Sequence, residues 1–153
     1  MSNCGIMLGT NVFNHLLDGE VDLEILIKYC DEIFITHIQE DELNSTKDQL
    51  RKKNLFNTLK KVEPRKIATE SAIWDVSRWD EAKWGTAGYH EQIKSALDIE
   101  KCNVNNTQDA LIGETCIVNG YTLITNDKNL ADAVANLGGK TKDFRVKTNT
   151  LRQ

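Results

Sequence analysis

The sequence predicts an α/β protein whose helices cover both faces of a central, mainly parallel sheet. Three short apolar segments have the composition of buried strands, and the segments between them carry apolar residues at helical spacing. The strands are therefore separated by helices and not by tight turns, which is the arrangement of a parallel sheet covered on both faces. A length of 153 residues fits one domain that spans residues 1–153.

In the first half of the chain, the predicted strand at residues 5–8 leads into a short helix at 11–17, for which Thr10 is a candidate N-cap. Asp18 and Gly19 end that helix. A second helix is predicted from the i, i+3, i+4, i+7 spacing of four apolar residues, namely Leu23, Leu26, Ile27 and Cys30. The second strand is predicted at 33–35, and one long helix from about 39 to 62, which ends before Pro64.

In the second half, residues 107–119 predict a helix that stops at Asn119-Gly120. A third strand follows at 121–125, and a last helix at 128–137 is closed by two glycines.

The segment at about 67–103 has no clear period and is predicted to be irregular or helical. It contains three tryptophans spaced five residues apart, Trp74, Trp79 and Trp84. They either pack this segment onto the core or form an exposed aromatic surface for a partner protein or RNA bases.

Composition excludes several classes of protein. An apolar fraction of 40% and a charged fraction of 27% are ordinary for a soluble globular protein. No apolar run approaches the ~18 residues of a membrane span, and the N-terminus lacks the pattern of a signal peptide. The four cysteines form no CxxC pair, and no histidine lies at metal-ligand spacing from one. We therefore expect a cytoplasmic protein with reduced thiols.

The charges are unevenly distributed, although the net charge is only −4. Residues 18–42 hold nine acids and one base, whereas residues 47–66 hold eight bases and two acids. The tail from Lys140 is also basic. This pattern fits a cation-binding centre beside a phosphate-binding surface, or else a solvated helix face and a solvated tail.

The residues that follow the strands form a candidate site, because ligands bind at the carboxyl ends of parallel strands. Gly9, Thr10 and Asn11 follow the first strand. Three acids come from segments near the other strand ends or the start of a helix, namely Glu42, Asp109 and Asp127. Each acid also has a purely structural interpretation: Asp109 and Asp127 as helix-capping acids, and Glu42 as an exposed helix acid.

Four motifs in order resemble those of PIN-domain nucleases: "LGTNVFNHLL", "THIQEDEL", "DALIGETCIVNG" and "LITND". The chain length and composition resemble the VapC-type toxins of that family. The resemblance implies an endoribonuclease whose site is formed by Glu42, Asp109 and Asp127. It further implies an RNA substrate, an antitoxin partner and a possible homodimer.

The residue types agree with this chemistry. Oxygen ligands without cysteine or histidine select Mg²⁺ or Mn²⁺, and metal-bound water needs no histidine base. Thr10, Asn11 and Thr125 are candidates for orienting the carboxylates. The basic helix that starts just after Glu42 is a candidate for holding the RNA backbone, through Arg51, Lys52 and Lys53.

The resemblance fails at its first motif, where the family's leading aspartate is replaced by Gly9. Glycine offers no ligand, so we expect weakened metal binding and impaired hydrolysis. Gly9 is either natural in a binding protein, or a selected or engineered change that removes toxicity, or compensated by a neighbouring acid. We favour the second explanation, because one base change converts an aspartate codon into a glycine codon.

Two other functions remain open. The chain is alternatively a non-catalytic PIN-like module that binds RNA or protein, in which the acids are only helix caps. An enzyme that uses a phosphorylated aspartate ranks last, because no aspartate follows the first strand.

Overall fold

The computed structural model describes residues 5–30, 32–69, 89–100 and 106–145. These residues form five strands, β1 (Gly5–Leu8), β2 (Glu32–Ile35), β3 (Arg65–Lys66), β4 (Thr122–Ile124) and β5 (Lys140–Lys142). They also form seven helices, α1 (Thr10–Leu17), α2 (Leu23–Tyr29), α3 (His37–Asn44), α4 (Gln49–Val62), α5 (Tyr89–Glu100), α6 (Asn106–Asn119) and α7 (Lys128–Asn136).

The five strands form one sheet in the order β3-β2-β1-β4-β5, and every pair is parallel. The first strand of the chain therefore lies at the centre, with Met7 opposite Phe34 on one side and Leu123 on the other. This arrangement confirms the predicted α/β class with a parallel sheet. It brings the carboxyl ends of β1, β2 and β4 to the same edge.

Helices cover both faces of the sheet. Alternate residues of β1 point to opposite faces, so each face of the strand contacts a different set of helices. Ile6 and Leu8 belong to a buried cluster with residues of α1, α2, α3 and α4, whereas Met7 belongs to a second cluster with residues of α5, α6 and α7. All three side chains are fully buried. In the described ranges, no helix is long and apolar enough to cross a membrane.

Two strands were not predicted from the sequence, and both lie at the edges of the sheet. β3 has two residues, both charged, and β5 has three residues, two of them lysines. Charged side chains on short edge strands protect a sheet from pairing with another chain. The same property removes the apolar pattern by which strands are recognised in a sequence.

Two details of the predicted helices are wrong. The helix expected at 39–62 is two helices, α3 and α4, because Asp48 starts a new one by accepting hydrogen bonds from Leu50 N and Arg51 N. The N-cap of α1 is Gly9, without a side-chain hydrogen bond, and Thr10 is the first helical residue. Glu42 therefore lies on α3, separated from the basic helix by a short loop.

Part of the segment at about 67–103, which was predicted to be irregular or helical, forms a helix. α5 packs against the core through Ile93 and Leu97, which are both buried. Their spacing of four residues is a helical signal. Trp74, Trp79 and Trp84 lie outside the described residues, so both interpretations of them stay predictions.

The expectation of reduced thiols is wrong for one cysteine. Cys30 is disulfide-bonded in the structure, while Cys116 is a free thiol that is buried among apolar side chains. Burial raises the pKa of the Cys116 thiol, which keeps it protonated and unreactive.

Candidate active site

A cavity of about 140 Å³ lies at the carboxyl ends of β1 and β4. Its lining comes from segments that are far apart in the sequence and includes all three predicted acids, Glu42, Asp109 and Asp127. The remaining polar lining comes from the predicted Gly9, Thr10, Asn11 and Thr125, together with Asn126. The fold thus brings together in one cavity every residue that was predicted from the strand ends.

Glu42 is held in the cavity by the way in which α3 begins. Thr36 and Gln39 form a capping box, in which the Thr36 hydroxyl accepts from Ile38 N and Gln39 Oε1 accepts from Thr36 N. The Gln39 amide also donates to the backbone oxygen of Leu8 at 2.9 Å. Because Leu8 ends β1, this buried glutamine ties the start of α3 to the strand that precedes Gly9.

Asp127 lines the cavity and also acts as a helix cap, the purely structural role that the sequence allowed for it. Its Oδ1 accepts hydrogen bonds from Asn129 N at 3.0 Å and from Leu130 N at 3.2 Å, so it caps α7. Its backbone N–H donates to Thr125 Oγ1 at 3.1 Å. Thr125 therefore fixes the turn that presents Asp127, as expected for an orienting residue.

Asp109 lies in the first turn of α6 and is the most perturbed carboxyl group in the cavity. Burial raises the pKa of Asp109 to about 7, and the negative charges of Glu42 and Asp127 add to that rise. The pKa of Glu42 is also raised, again mainly by burial. Because the charges of Glu42 and Asp127 oppose ionisation of Asp109, a cation bound among the three acids would be favourable.

Three buried oxygen atoms of residues that line the cavity lack a satisfactory partner within the described residues, on Thr10, Glu42 and Asn126. Thr10 lies close enough to Glu42 for its hydroxyl to oppose the rise in the pKa of Glu42. Within the described part of the chain, however, neither Thr10 Oγ1 nor Glu42 Oε1 makes a hydrogen bond of good geometry, although both atoms are buried. A buried carboxylate oxygen without a partner is costly, which again favours a ligand.

The donor set fits a hard divalent cation in kind, since it consists of carboxylate, hydroxyl and amide oxygens. Its arrangement fits less completely. In residues 5–30, 32–69, 89–100 and 106–145, no three acidic, histidine or cysteine side chains are placed to share one ion. The acids therefore share a cavity without forming a three-carboxylate metal cage.

Gly9 has an ordinary extended backbone, with φ −65° and ψ 157°, so its conformation does not require glycine. Its N–H donates to the Ile124 oxygen at 2.9 Å. A Cβ atom at this position would lie 3.1 Å from that same oxygen and 3.7 Å from the side chain of Thr125. A side chain at this position therefore requires the Ile124 carbonyl to shift by a few tenths of an ångström.

The three basic residues proposed to hold RNA lie on α4 and do not line the cavity of the three acids. Arg51 is occupied within the chain: it donates to Asp18 through two nitrogens and to Asn14 Oδ1 through Nε and a terminal nitrogen. Four of its five N–H groups are thus used. Lys53 is exposed and Lys52 is half-buried.

Sequence reasoning missed Gln39 and Asn14, which position other parts of the site. Gln39 had a recognisable signal, since Thr36 and Gln39 have the spacing of a capping box. Asn14 had none, because its contact with Arg51 joins residues 37 apart and depends on the packing of α1 against α4.

Comparison with solved structures shows likeness of fold at low sequence identity. VapBC2 from Rickettsia felis, bound to a promoter DNA fragment, matches with a TM-score of 0.58 and 20% identity over 92% of this chain and 98% of that one. VapBC from Salmonella typhimurium, bound to DNA, matches with 0.59 and 16% over the same shares. FitAcB from Neisseria gonorrhoeae matches with 0.52 and 16% over 89% and 95%.

The chain therefore has a PIN-like fold that matches VapC structures over most of its length. This confirms the predicted fold class. No protein-family model matches the sequence, and no curated protein matches it either.

Proposed function

We propose that this protein is a metal-dependent endoribonuclease of a toxin–antitoxin pair, impaired by Gly9. The observation that carries the proposal is the cavity at the carboxyl ends of β1 and β4, in which Glu42, Asp109 and Asp127 meet. Separate capping roles would not explain why Glu42 and Asp127 raise the proton affinity of Asp109 in a shared cavity.

Glu42, Asp109 and Asp127 are the residues that would hold Mg²⁺ or Mn²⁺. A bound ion of this kind supplies an acidic water and neutralises charge on a phosphodiester. Thr125 fixes the turn before Asp127, and Thr10 and Asn11 contribute polar groups to the same wall. The hydrogen bond from Gln39 to Leu8 O holds the start of α3, the helix that carries Glu42, at the end of β1.

Lys52 and Lys53 are the residues that we assign to the RNA backbone. They lie on the first turns of α4, and Lys53 is exposed. Arg51 was predicted with them, but its guanidinium is bound to Asp18 and Asn14. We therefore assign Arg51 mainly to holding those residues, with at most one N–H left for a phosphate.

Gly9 accounts for the proposed impairment. The position is next to Thr10 on the cavity wall, and its backbone accepts a side chain with a small shift. An aspartate there would add a fourth carboxylate to the cavity. Loss of a direct ligand should cost at least the 10–100-fold that is typical of losing a residue that supports a ligand.

An antitoxin partner and a homodimer are part of the proposal. The similar structures include VapBC and FitAcB assemblies, and an acidic cavity suits a basic side chain from a partner protein. The proposal places this system in the cytoplasm because its substrate is RNA; the disulfide of Cys30 does not support that location.

RNA cleavage by the Gly9→Asp protein in Mg²⁺ or Mn²⁺ tests the proposal. We expect cleavage by Gly9→Asp, less by the unchanged protein, and none by Gly9→Asp/Asp109→Asn. Gly9→Ala is the matched control, since it adds the same Cβ atom without a carboxylate. Absence of cleavage by Gly9→Asp with either metal would refute the proposal.

One observation favours a non-catalytic module as the second candidate. The described residues hold no three-carboxylate cluster, and one of the four family acids is glycine. This candidate predicts that Mn²⁺ does not stabilise either the unchanged protein or Gly9→Asp in thermal unfolding, because only a ligand of the folded state raises stability.

A further inference from the structure

A second cavity, of about 400 Å³, adjoins the acidic one. The two cavities share Thr10, Asn11 and Glu42. The rest of its lining is mostly uncharged and polar, namely Asn14, Ser45, Thr46 and Gln108, with Asp41 and Leu43. A molecule held in the acidic cavity can therefore extend into a larger space with hydrogen-bonding walls.

The amide of Asn14 has a fixed orientation in this wall. Arg51 donates to Asn14 Oδ1 through Nε at 3.2 Å and through a terminal nitrogen at 2.8 Å. An arginine can only donate, so the oxygen of the amide must face it. Asp18 anchors the same guanidinium at 2.9 Å and 3.1 Å. Asn14 therefore has its Nδ2 hydrogens, both donors, left for a ligand.

Another part of the wall supplies acceptors. Ser45 Oγ donates its hydrogen to the Glu42 backbone oxygen at 2.8 Å, which leaves its lone pairs for a ligand. Asp41 and Glu42 make this wall acidic. A phosphate would be repelled here, whereas a neutral ring with both acceptors and donors on its edge would be accommodated.

We propose that this second cavity binds a base of the RNA that adjoins the scissile phosphate, and that Asn14 is the specificity-determining residue. The proposal rests on the proposed ribonuclease function. Single-stranded RNA is read by hydrogen bonds to the edges of unstacked bases. The fixed donors of Asn14 bind a keto oxygen and not an exocyclic amine, so a base that presents its exocyclic group to Asn14 is uracil or guanine and not cytosine or adenine.

Titration of the unchanged protein with single nucleosides tests the cavity without any need for catalysis. The probes are uridine, guanosine, cytidine and adenosine, with ribose as the control for the sugar. N-acetylarginine amide represents a partner's basic side chain. The readout is the NMR shift of the Asn14 side-chain amide and of the Thr46 backbone amide at millimolar probe. We expect uridine or guanosine to shift both signals, and ribose to shift neither.

Asn14→Asp separates recognition from structure. Aspartate keeps an oxygen for Arg51 but replaces the two donors with an acceptor. We therefore expect binding of the preferred nucleoside to weaken about tenfold, the scale of one lost hydrogen bond, and cytidine or adenosine, which carry an exocyclic amine, to gain. Asn57→Asp, on the exposed face of α4, makes the same chemical change outside the cavity and should alter no preference.

The outcomes separate this proposal from the ribonuclease function. If no nucleoside shifts the two signals, or if only N-acetylarginine amide does, the base-binding role is wrong whatever Gly9→Asp does to RNA. If a nucleoside binds but Asn14→Asp leaves the preference unchanged, Asn14 is not the determinant. Cleavage by Gly9→Asp, with the base preference altered by Asn14→Asp, would support both proposals.

Discussion

The raised pKa of Asp109 makes the stability of this protein depend on pH in an unusual direction. A carboxylate whose pKa is lowered by folding makes the folded protein more stable as the pH rises from its folded pKa to its unfolded pKa. Asp109 does the opposite, because its pKa is about 7 in the folded protein and near the ordinary value of 3.8 in the unfolded chain. Between these values the folded state holds a proton that the unfolded state has lost. Stability should therefore fall as the pH rises from about 4 to 7.

The magnitude follows from the size of the shift. About three pH units, at about 1.4 kcal/mol for each, correspond to about 4 kcal/mol of folding free energy. Asp109→Asn has nearly the same shape but never ionises, so it should remove this loss. We expect the variant to be more stable than the parent at pH 8 by several kcal/mol at most, and to differ little at pH 4.5.

Urea unfolding at a series of pH values, with EDTA to remove divalent ions, measures this difference. Asp132→Asn, on the exposed side of α7, is the matched control and should follow the parent. The reasoning is refuted if Asp109→Asn and the parent show the same dependence on pH from 4.5 to 8. In Mn²⁺ the parent should recover part of the loss at pH 8, because a bound cation offsets the repulsion among the acids.

Three further changes test other parts of the site. Gly9→Asp should lower the melting temperature in EDTA, because it adds a carboxylate and its Cβ atom lies close to Ile124 O. Mn²⁺ should then raise the melting temperature of Gly9→Asp more than that of Gly9→Ala. An equal rise in both variants would argue against a ligand at position 9. Gln39→Ala should cost about 2–4 kcal/mol in urea unfolding, because it leaves the Leu8 oxygen and Thr36 N–H buried without their partner; a cost below 1 kcal/mol would contradict this role. Asp127→Asn should keep the α7 cap, whereas Asp127→Ala should lower the free energy of unfolding by about 1 kcal/mol. Both variants should abolish RNA cleavage in the Gly9→Asp background. Cleavage by the asparagine variant would show that Asp127 acts only as a cap.

The sequence predicted the centre of the fold better than its edges. β1, β2 and β4 are apolar and buried, so their composition identified them, whereas β3 and β5 consist of charged and polar residues at the edges. The false long helix arose because Leu43 and Leu50 keep a helical spacing across the loop. Asp48 signalled the break, since aspartate is a strong N-cap.

The candidate site was predictable as far as it depends on strand ends. The topology of a parallel sheet decides that Glu42, Asp109 and Asp127 meet, and the order of strands and helices already implied that topology. The fixed orientation of Asn14 was not predictable, because it depends on how α1 packs against α4. Sequence spacing carries no information about a contact of this kind.

The structure bears on the explanation of Gly9. Its backbone is extended, and the nearest obstacle to a side chain is one carbonyl oxygen at 3.1 Å, so the fold alone does not select glycine. The cavity does supply a reason for the absence of a charge. Asp109 is already raised to a pKa of about 7 by burial and two acids, and a fourth carboxylate would increase that repulsion wherever no cation is bound. If the proposed function is right, glycine at position 9 exchanges a metal ligand for stability of the metal-free protein, as expected of a change that suppresses activity and leaves the fold intact.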